Sequence, residues 1–230
     1  MSHYAVAVFS DDCRFDDLLA PYGENNKNEF EFKSVEYAKI LEDFKEFQKH
    51  NSVWTLEMYL DEFGYHQKDG QWGYECNPHG YWDWYSLDGK DYLFDLKEWK
   101  ELDSSSDDWE GYYRKNDYDW YPDDSEAEAD AIDFWDSFVG DGAFAEPPGL
   151  WSRQYYLERY KTKEQYVKEC KRVVPYAFIT PDGVWHAPGR VGWFASSDET
   201  AEGHNKYIEE WDAWINSDAN PYVSLVDCHI

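Results

Sequence analysis

Two stretches, "HYAVAVF" at residues 3–9 and "YVSLVDCHI" at residues 222–230, alternate in polarity and are rich in Val and aromatic residues. Successive side chains on a strand point to opposite faces, so each stretch predicts a strand. Helical patterns fill much of the chain between them. Strands at both ends with helices between them predict one α+β domain, closed by its own ends. Its antiparallel sheet would include both terminal strands and pack against helices.

Ser34 can cap a helix through about His50, because Val35, Ala38, Leu41 and Phe44 or Phe47 recur at helical spacing. A second helix is expected after Ser52, ending near Gly64 with Trp54, Met58 and Tyr59 or Leu60 inward. From Gln71 to Asp95 the character changes to short β elements, and Asp88-Gly89 marks a hairpin turn. Ser125 and Glu128 have capping-box spacing before a helix reaching about Phe138, with Ala131, Phe134, Trp135 and Phe138 on one face. Thr162 and Gln165 repeat that spacing before "YVKECKR". "YAFITPDGVWHA" reads as a hairpin turning at Pro181-Asp182-Gly183, and a last helix is expected over Glu199–Asn216.

The formal charge of −28 is the strongest global feature. It repels nucleic acid and anionic membranes and attracts basic surfaces. Residues 101–146 concentrate it, with 16 Asp and Glu against Arg114 and Lys115. This segment is expected to be an acidic, aromatic-rich excursion on the domain. No run approaches the roughly 18 apolar residues of a membrane span. "MSHYAVAVFSDD" lacks the basic and apolar regions of a signal peptide, so a cytoplasmic protein is expected. The four cysteines lie far apart without a CxxC pair and read as buried thiols.

No phosphate-binding glycine loop, dinucleotide fingerprint, nucleophile elbow or HExxH motif is present, so no cofactor is expected. Three constellations remain. In "VDCHI", alternation puts Asp227 and His229 on one face, and a neighbouring N-terminal strand would add His3 to a metal or acid–base cluster. In "NPHGYWDWYSLDG", the pleat sends Trp82 and Trp84 inward and presents Tyr81, Asp83 and Tyr85. Lys90 and His186 would complete a ligand site with those three. The third constellation is the acidic segment. Asp107, Asp108, Glu110, Asp117, Asp119, Asp123 and Asp124 supply carboxylates there, interleaved with Trp109, Tyr112, Tyr113, Tyr118 and Trp120.

"HYAVAVF", "LLAPYGEN", "NPHGYWDWYSLDGKD" and "LVDCHI" together resemble a family of proteins encoded by bacteriophages, prophages and mobile elements. That family shows an "LLAPYDEN"-like loop, a "YNP…KWDWYxIGGRW" motif and a closing "VDCHI". The family's Gly-Gly-Arg-Trp is Asp88-Gly89-Lys90-Asp91 in this sequence. Lys90 could replace the arginine's charge but not its bidentate fork. The resemblance implies a counter-defence or host-takeover role.

The expected function is therefore that of a phage-type accessory protein. It would bind and inhibit a host defence or nucleic-acid-handling protein, its carboxylates entering a basic groove and its aromatics replacing stacked bases. The expected partner is a host protein with a basic surface, with no direct nucleic acid and no membrane. The alternative is a metal-dependent enzyme, or a sponge for a nucleotide signal, built on the terminal-strand His/Asp cluster.

Overall fold

The computed structural model describes residues 3–86, 113–141, 143, 145, 147–148, 151–192 and 196–230. It is an α+β structure in two compact units, residues 1–19 with 84–230 and residues 20–83. Among the described residues no helix is long and apolar enough to cross a membrane.

The larger unit is built on a five-stranded sheet. Its central strands are the two predicted at the chain ends, β1 (His3–Ser10) and β8 (Tyr222–His229). They pair antiparallel along their whole length, His3 opposite His229 and Ser10 opposite Tyr222. β5 (Trp84–Ser86) pairs with the outer side of β8. On the other side β1 runs parallel to β6 (Ala177–Ile179), which turns back antiparallel into β7 (Trp185–His186). The strand order is β5-β8-β1-β6-β7. Gly183 takes a φ of 83° in the β6–β7 turn, a conformation that L side chains rarely adopt.

Pairing register sets the faces. Ala7, Phe9, Val223, Leu225 and Phe178 share one face and bury it against α7 (Ala201–Ile215). The helix contributes Tyr207, Ile208, Trp211 and Ile215, which recur at helical spacing. Phe9 sits at the middle, its ring 5.4 Å from Trp214 and 6.2 Å from both Trp120 and Trp211. Before β1 hands over to the second unit, the short α1 (Phe15–Leu19) buries Phe15 and Leu19.

Among the described residues, three further α-helices belong to this unit. α4 (Ser125–Phe134) is capped by Asp124, not by the expected Ser125: the Asp124 carboxylate accepts from the backbone N–H of Glu126 and Ala127. It continues as a π-turn over Trp135–Val139, burying Ala131, Trp135 and Val139. α5 (Arg153–Tyr160) and α6 (Lys163–Cys170) start at Ser152 and Thr162, whose hydroxyls accept from the N–H of Tyr155 and Gln165. The Thr162 cap was legible in the sequence.

The smaller unit holds a three-stranded antiparallel sheet of β2 (Glu31–Ser34), β3 (His66–Lys68) and β4 (Gln71–Cys76), in the order β2-β4-β3. A Cβ on Gly73 would lie 2.2 Å from the carbonyl oxygen of Lys33, so the β2–β4 pairing requires glycine there. Ser34 ends β2 opposite Gly73 and does not cap a helix, because strand pairing uses its backbone. α2 (Tyr37–Gln48) begins later and turns Ile40, not Ala38, fully inward. α3 (Leu56–Glu62) buries Tyr59 and leaves Met58 exposed. Tyr59 packs with Phe44, Phe47 and Phe63 at ring distances of 4.6–5.4 Å.

Candidate functional site

The terminal strands bring together the His/Asp cluster expected from "VDCHI". Because His3 pairs opposite His229 and Ala5 opposite Asp227, the side chains of His3, Asp227 and His229 share one face of the sheet. His3 Nδ1 lies 3.0 Å from Asp227 Oδ2, and the His3 and His229 rings meet edge-on at 5.0 Å. Trp84 pairs opposite His229 and adds its ring at 6.2 Å. Asp227 is 7% exposed, so a buried carboxylate orients a half-exposed imidazole beside two further rings. With Nδ1–H donating to Asp227, that arrangement suits proton transfer. Among the described residues, no three His, Cys, Asp or Glu side chains are grouped so as to hold a metal ion.

Trp84 itself corrects an expectation. It is 55% exposed, whereas Tyr85 is half-buried and donates its hydroxyl to Asp16. β5 begins only at Trp84, so the pleat that was to place Trp82 and Trp84 together does not run through both. Pairing with β8 decides instead: Trp84 shares the face of His229, and Tyr85 that of Cys228.

Of the residues expected to form the ligand site (Tyr81, Asp83, Tyr85, Lys90 and His186), the larger unit keeps Tyr85 and His186 apart. Tyr81 and Asp83 belong to the smaller unit, Tyr85 and His186 to the larger. Tyr85 and His186 sit on opposite edge strands of the sheet, about 19 Å apart at the usual strand spacing. His186 stacks on Phe178 at 4.4 Å and its Nδ1 lies 3.0 Å from Glu210, a structural placement. Lys90 lies outside the described residues.

The acidic segment divides in the same way. Asp107, Asp108, Trp109, Glu110 and Tyr112 lie outside the described residues. Trp120 is not a surface residue: it is 4% exposed, part of the α7 core, and its Nε1–H donates to the carbonyl of Lys115. Tyr118 packs against that core 5.1 Å from the Trp120 ring, and burial pushes its phenol pKa up. Tyr113 is half-buried against Tyr118. The carboxylates, by contrast, are exposed. Asp117 accepts from the N–H of Arg114 and Asp119 from that of Tyr121, so each also fixes its own turn. Asp123 and Asp124 extend the row into α4.

Lys115 holds this segment in place, and sequence reasoning missed it. Its side chain is fully buried, with Nζ donating to the carbonyls of Trp214, Ile215 and Ser217 at 2.7–3.0 Å and to the Ser217 hydroxyl at 3.1 Å. The carbonyls lie at and just beyond the end of α7, where helix geometry supplies few donors, and Trp214 also accepts from Ser217. Burial lowers the ammonium pKa, yet the negative end of the helix favours the charge. Alongside it, Arg114 lies over the Tyr222 ring and donates to the Asn220 carbonyl, while the N–H of Asn116 donates to the Asn220 side chain.

A second buried group was equally hidden. His204 on α7 places Nε2 2.7 Å from Glu169 of α6, and Nδ1 3.1 Å from Glu199 and 2.9 Å from Arg159 of α5. Four ionisable side chains, none more than 18% exposed, thus join three helices. No family model, no curated protein and no solved structure matches this chain.

Proposed function

We propose that this protein works by binding, its carboxylate-rich segment occupying the basic face with which a host nucleic-acid-handling or defence protein grips phosphates. The observation that carries this reading is the anchoring of residues 113–124. Lys115 and Trp120 fix the backbone in the core, and Asp117, Asp119, Asp123 and Asp124 stand outward from it. A surface ordered before contact loses less conformational entropy on binding than a floppy acidic tail. The charge of −28 adds long-range attraction to a cationic partner. The resemblance to phage-encoded proteins supplies the setting of host takeover.

The test is affinity capture from bacterial host cells, then titration of the captured protein with the wild type and the Asp117→Asn/Asp119→Asn/Asp123→Asn variant. Exposed charges each worth about 0.5–1 kcal/mol put the expected loss at roughly ten- to a hundredfold. High salt should weaken the wild type more than the variant. Equal affinities for the two proteins, or binding indifferent to salt, would refute the reading.

The contact between His3 and Asp227, beside His229 and the exposed Trp84, favours a second reading, a ligand or acid–base site at the terminal strands. A thermal-shift screen of nucleotides on the wild type and Asp227→Asn checks it. A nucleotide that raises the melting temperature of the wild type alone supports the site. If none shifts the wild type, the reading fails.

A further inference from the structure

The segment between Lys163 and Arg172 is one of the few cationic stretches in an acidic chain, and its charges line a cavity. Lys163, Glu164, Val167 and Lys168 lie on one side of α6 at helical spacing, and Lys171 and Arg172 just past its end line the same groove. Facing them are Glu128 and Ile132 of α4, with Tyr121, Pro122 and Asp123 at its approach. The groove between the two helices is an open cleft of about 620 Å³, a volume within the range of small-molecule sites. Tyr121, Pro122, Ile132, Val167 and the aliphatic stems of its charged residues make most of its surface apolar.

The charge pattern narrows the ligand. Lys163 pairs with Asp136, and Lys171 with Glu128, both at 2.6 Å. Lys168 and Arg172, however, share a single carboxylate, Asp212, at 3.4 and 2.8 Å. Asp212 also accepts the Tyr121 hydroxyl at 2.8 Å. The Arg172 side chain is 3% exposed, and its Nε and Nη1 donate to no acceptor among the described residues. Buried donors without acceptors are costly, so Arg172 carries hydrogen-bonding capacity that Asp212 does not meet. Asp123 and Glu164 line the same groove and repel further negative charge.

We propose that the α4–α6 groove binds a small amphipathic monocarboxylate. Its carboxylate sits beside Lys168 and Arg172, and its apolar body lies along Tyr121, Pro122, Ile132 and Val167. Its carboxylate oxygens supply acceptors to the guanidinium of Arg172, whose Nε and Nη1 lack them. Di- and trianions such as nucleotides are disfavoured by the lining carboxylates and by the net charge of the molecule. The groove meets the acidic surface at Asp123, but decanoate titration and partner capture are read separately, so either proposal can fail without the other.

Decanoate is the probe, with decan-1-ol as the uncharged control and ATP as the polyanion, each titrated calorimetrically into the full chain. Decanoate should bind with one site per chain and decanol at least tenfold more weakly, while ATP should show no binding. Lys168→Ala removes an exposed charge and should weaken decanoate about two- to fivefold. Ile132→Asp places a carboxylate on the apolar wall at an exposed helix position and should abolish binding. Retained circular dichroism and melting temperature establish that both variants fold. The proposal is overturned if decanoate does not bind, if decanol binds as tightly, if ATP binds better, or if Ile132→Asp leaves decanoate affinity unchanged.

Discussion

Replacing Lys115 with methionine should lower the free energy of unfolding by about 2–4 kcal/mol, the range for buried donors removed from charged hydrogen bonds. Methionine approximates the length and volume of the lysine stem, so little of this loss comes from a cavity. What disappears is the ammonium group at the end of α7. The carbonyls of Trp214, Ile215 and Ser217 would then face a thioether that cannot donate. The favourable interaction of a cation with the helix terminus is lost as well. Urea denaturation measures the change. Amide exchange should also show Tyr113–Tyr121 opening more readily, since Lys115 is the main tie between that segment and the core. A loss below about 0.5 kcal/mol, the range of ordinary surface substitutions, would show that the plug is not structural.

His204→Gln should cost about 3–5 kcal/mol, the range for breaking a buried ion pair by removing one partner. With the imidazole protonated, two cations (Arg159 and His204) balance two carboxylates (Glu169 and Glu199). Burial pushes the His204 pKa down, but hydrogen bonds to Glu169 and Glu199 push it up further, leaving it above its ordinary 6.5. A raised pKa in the folded state means stability fully present below about pH 6.5, and lost as pH climbs through the folded value. For Glu199 burial acts upward, while the His204 hydrogen bond and the charge of Arg159 act downward and prevail, leaving it below 4.5. Its contribution is present above about pH 4.5 and fades as pH falls through the folded value. The cluster is therefore most stabilising between these limits. Unfolding free energies measured from pH 6 to 9 should converge for wild type and His204→Gln as pH rises. A constant difference would show that His204 does not titrate with folding. On deprotonation Nδ1 can accept from Arg159, so part of the contact survives.

The sequence announced its sheet more clearly than its site. Alternation in "HYAVAVF" and "VDCHI" placed His3, Asp227 and His229 on a common face, because pleat alone decides which residues share one. Pro181-Asp182-Gly183 and the Thr162 cap were equally readable, since their signals are local. Trp84 was not, because its exposure depends on where β5 begins and on its register with β8. Trp120 and Lys115 were hidden in a charge run without periodicity, and their burial depends on the end of a helix about a hundred positions later. His204 gave no signal as one histidine on a helix, as its partners Glu169 and Arg159 are 35 and 45 positions away. The Arg114-Lys115 pair, the only basic residues among 16 carboxylates in 101–146, was the one available clue that a cation there had a fixed role.

The pairing of β1 with β8 has a consequence for how the molecule is made. His3 and Asp227 are 224 positions apart, yet they belong to neighbouring strands at the middle of the sheet. At about 5–20 residues per second, on the order of 10–40 s separates their emergence from a ribosome. During that interval Val6 and Val8 have no antiparallel neighbour, whereas the strands and helices of residues 20–83 find their partners close by in sequence. The large sheet is thus of high contact order, and its closing step is slow.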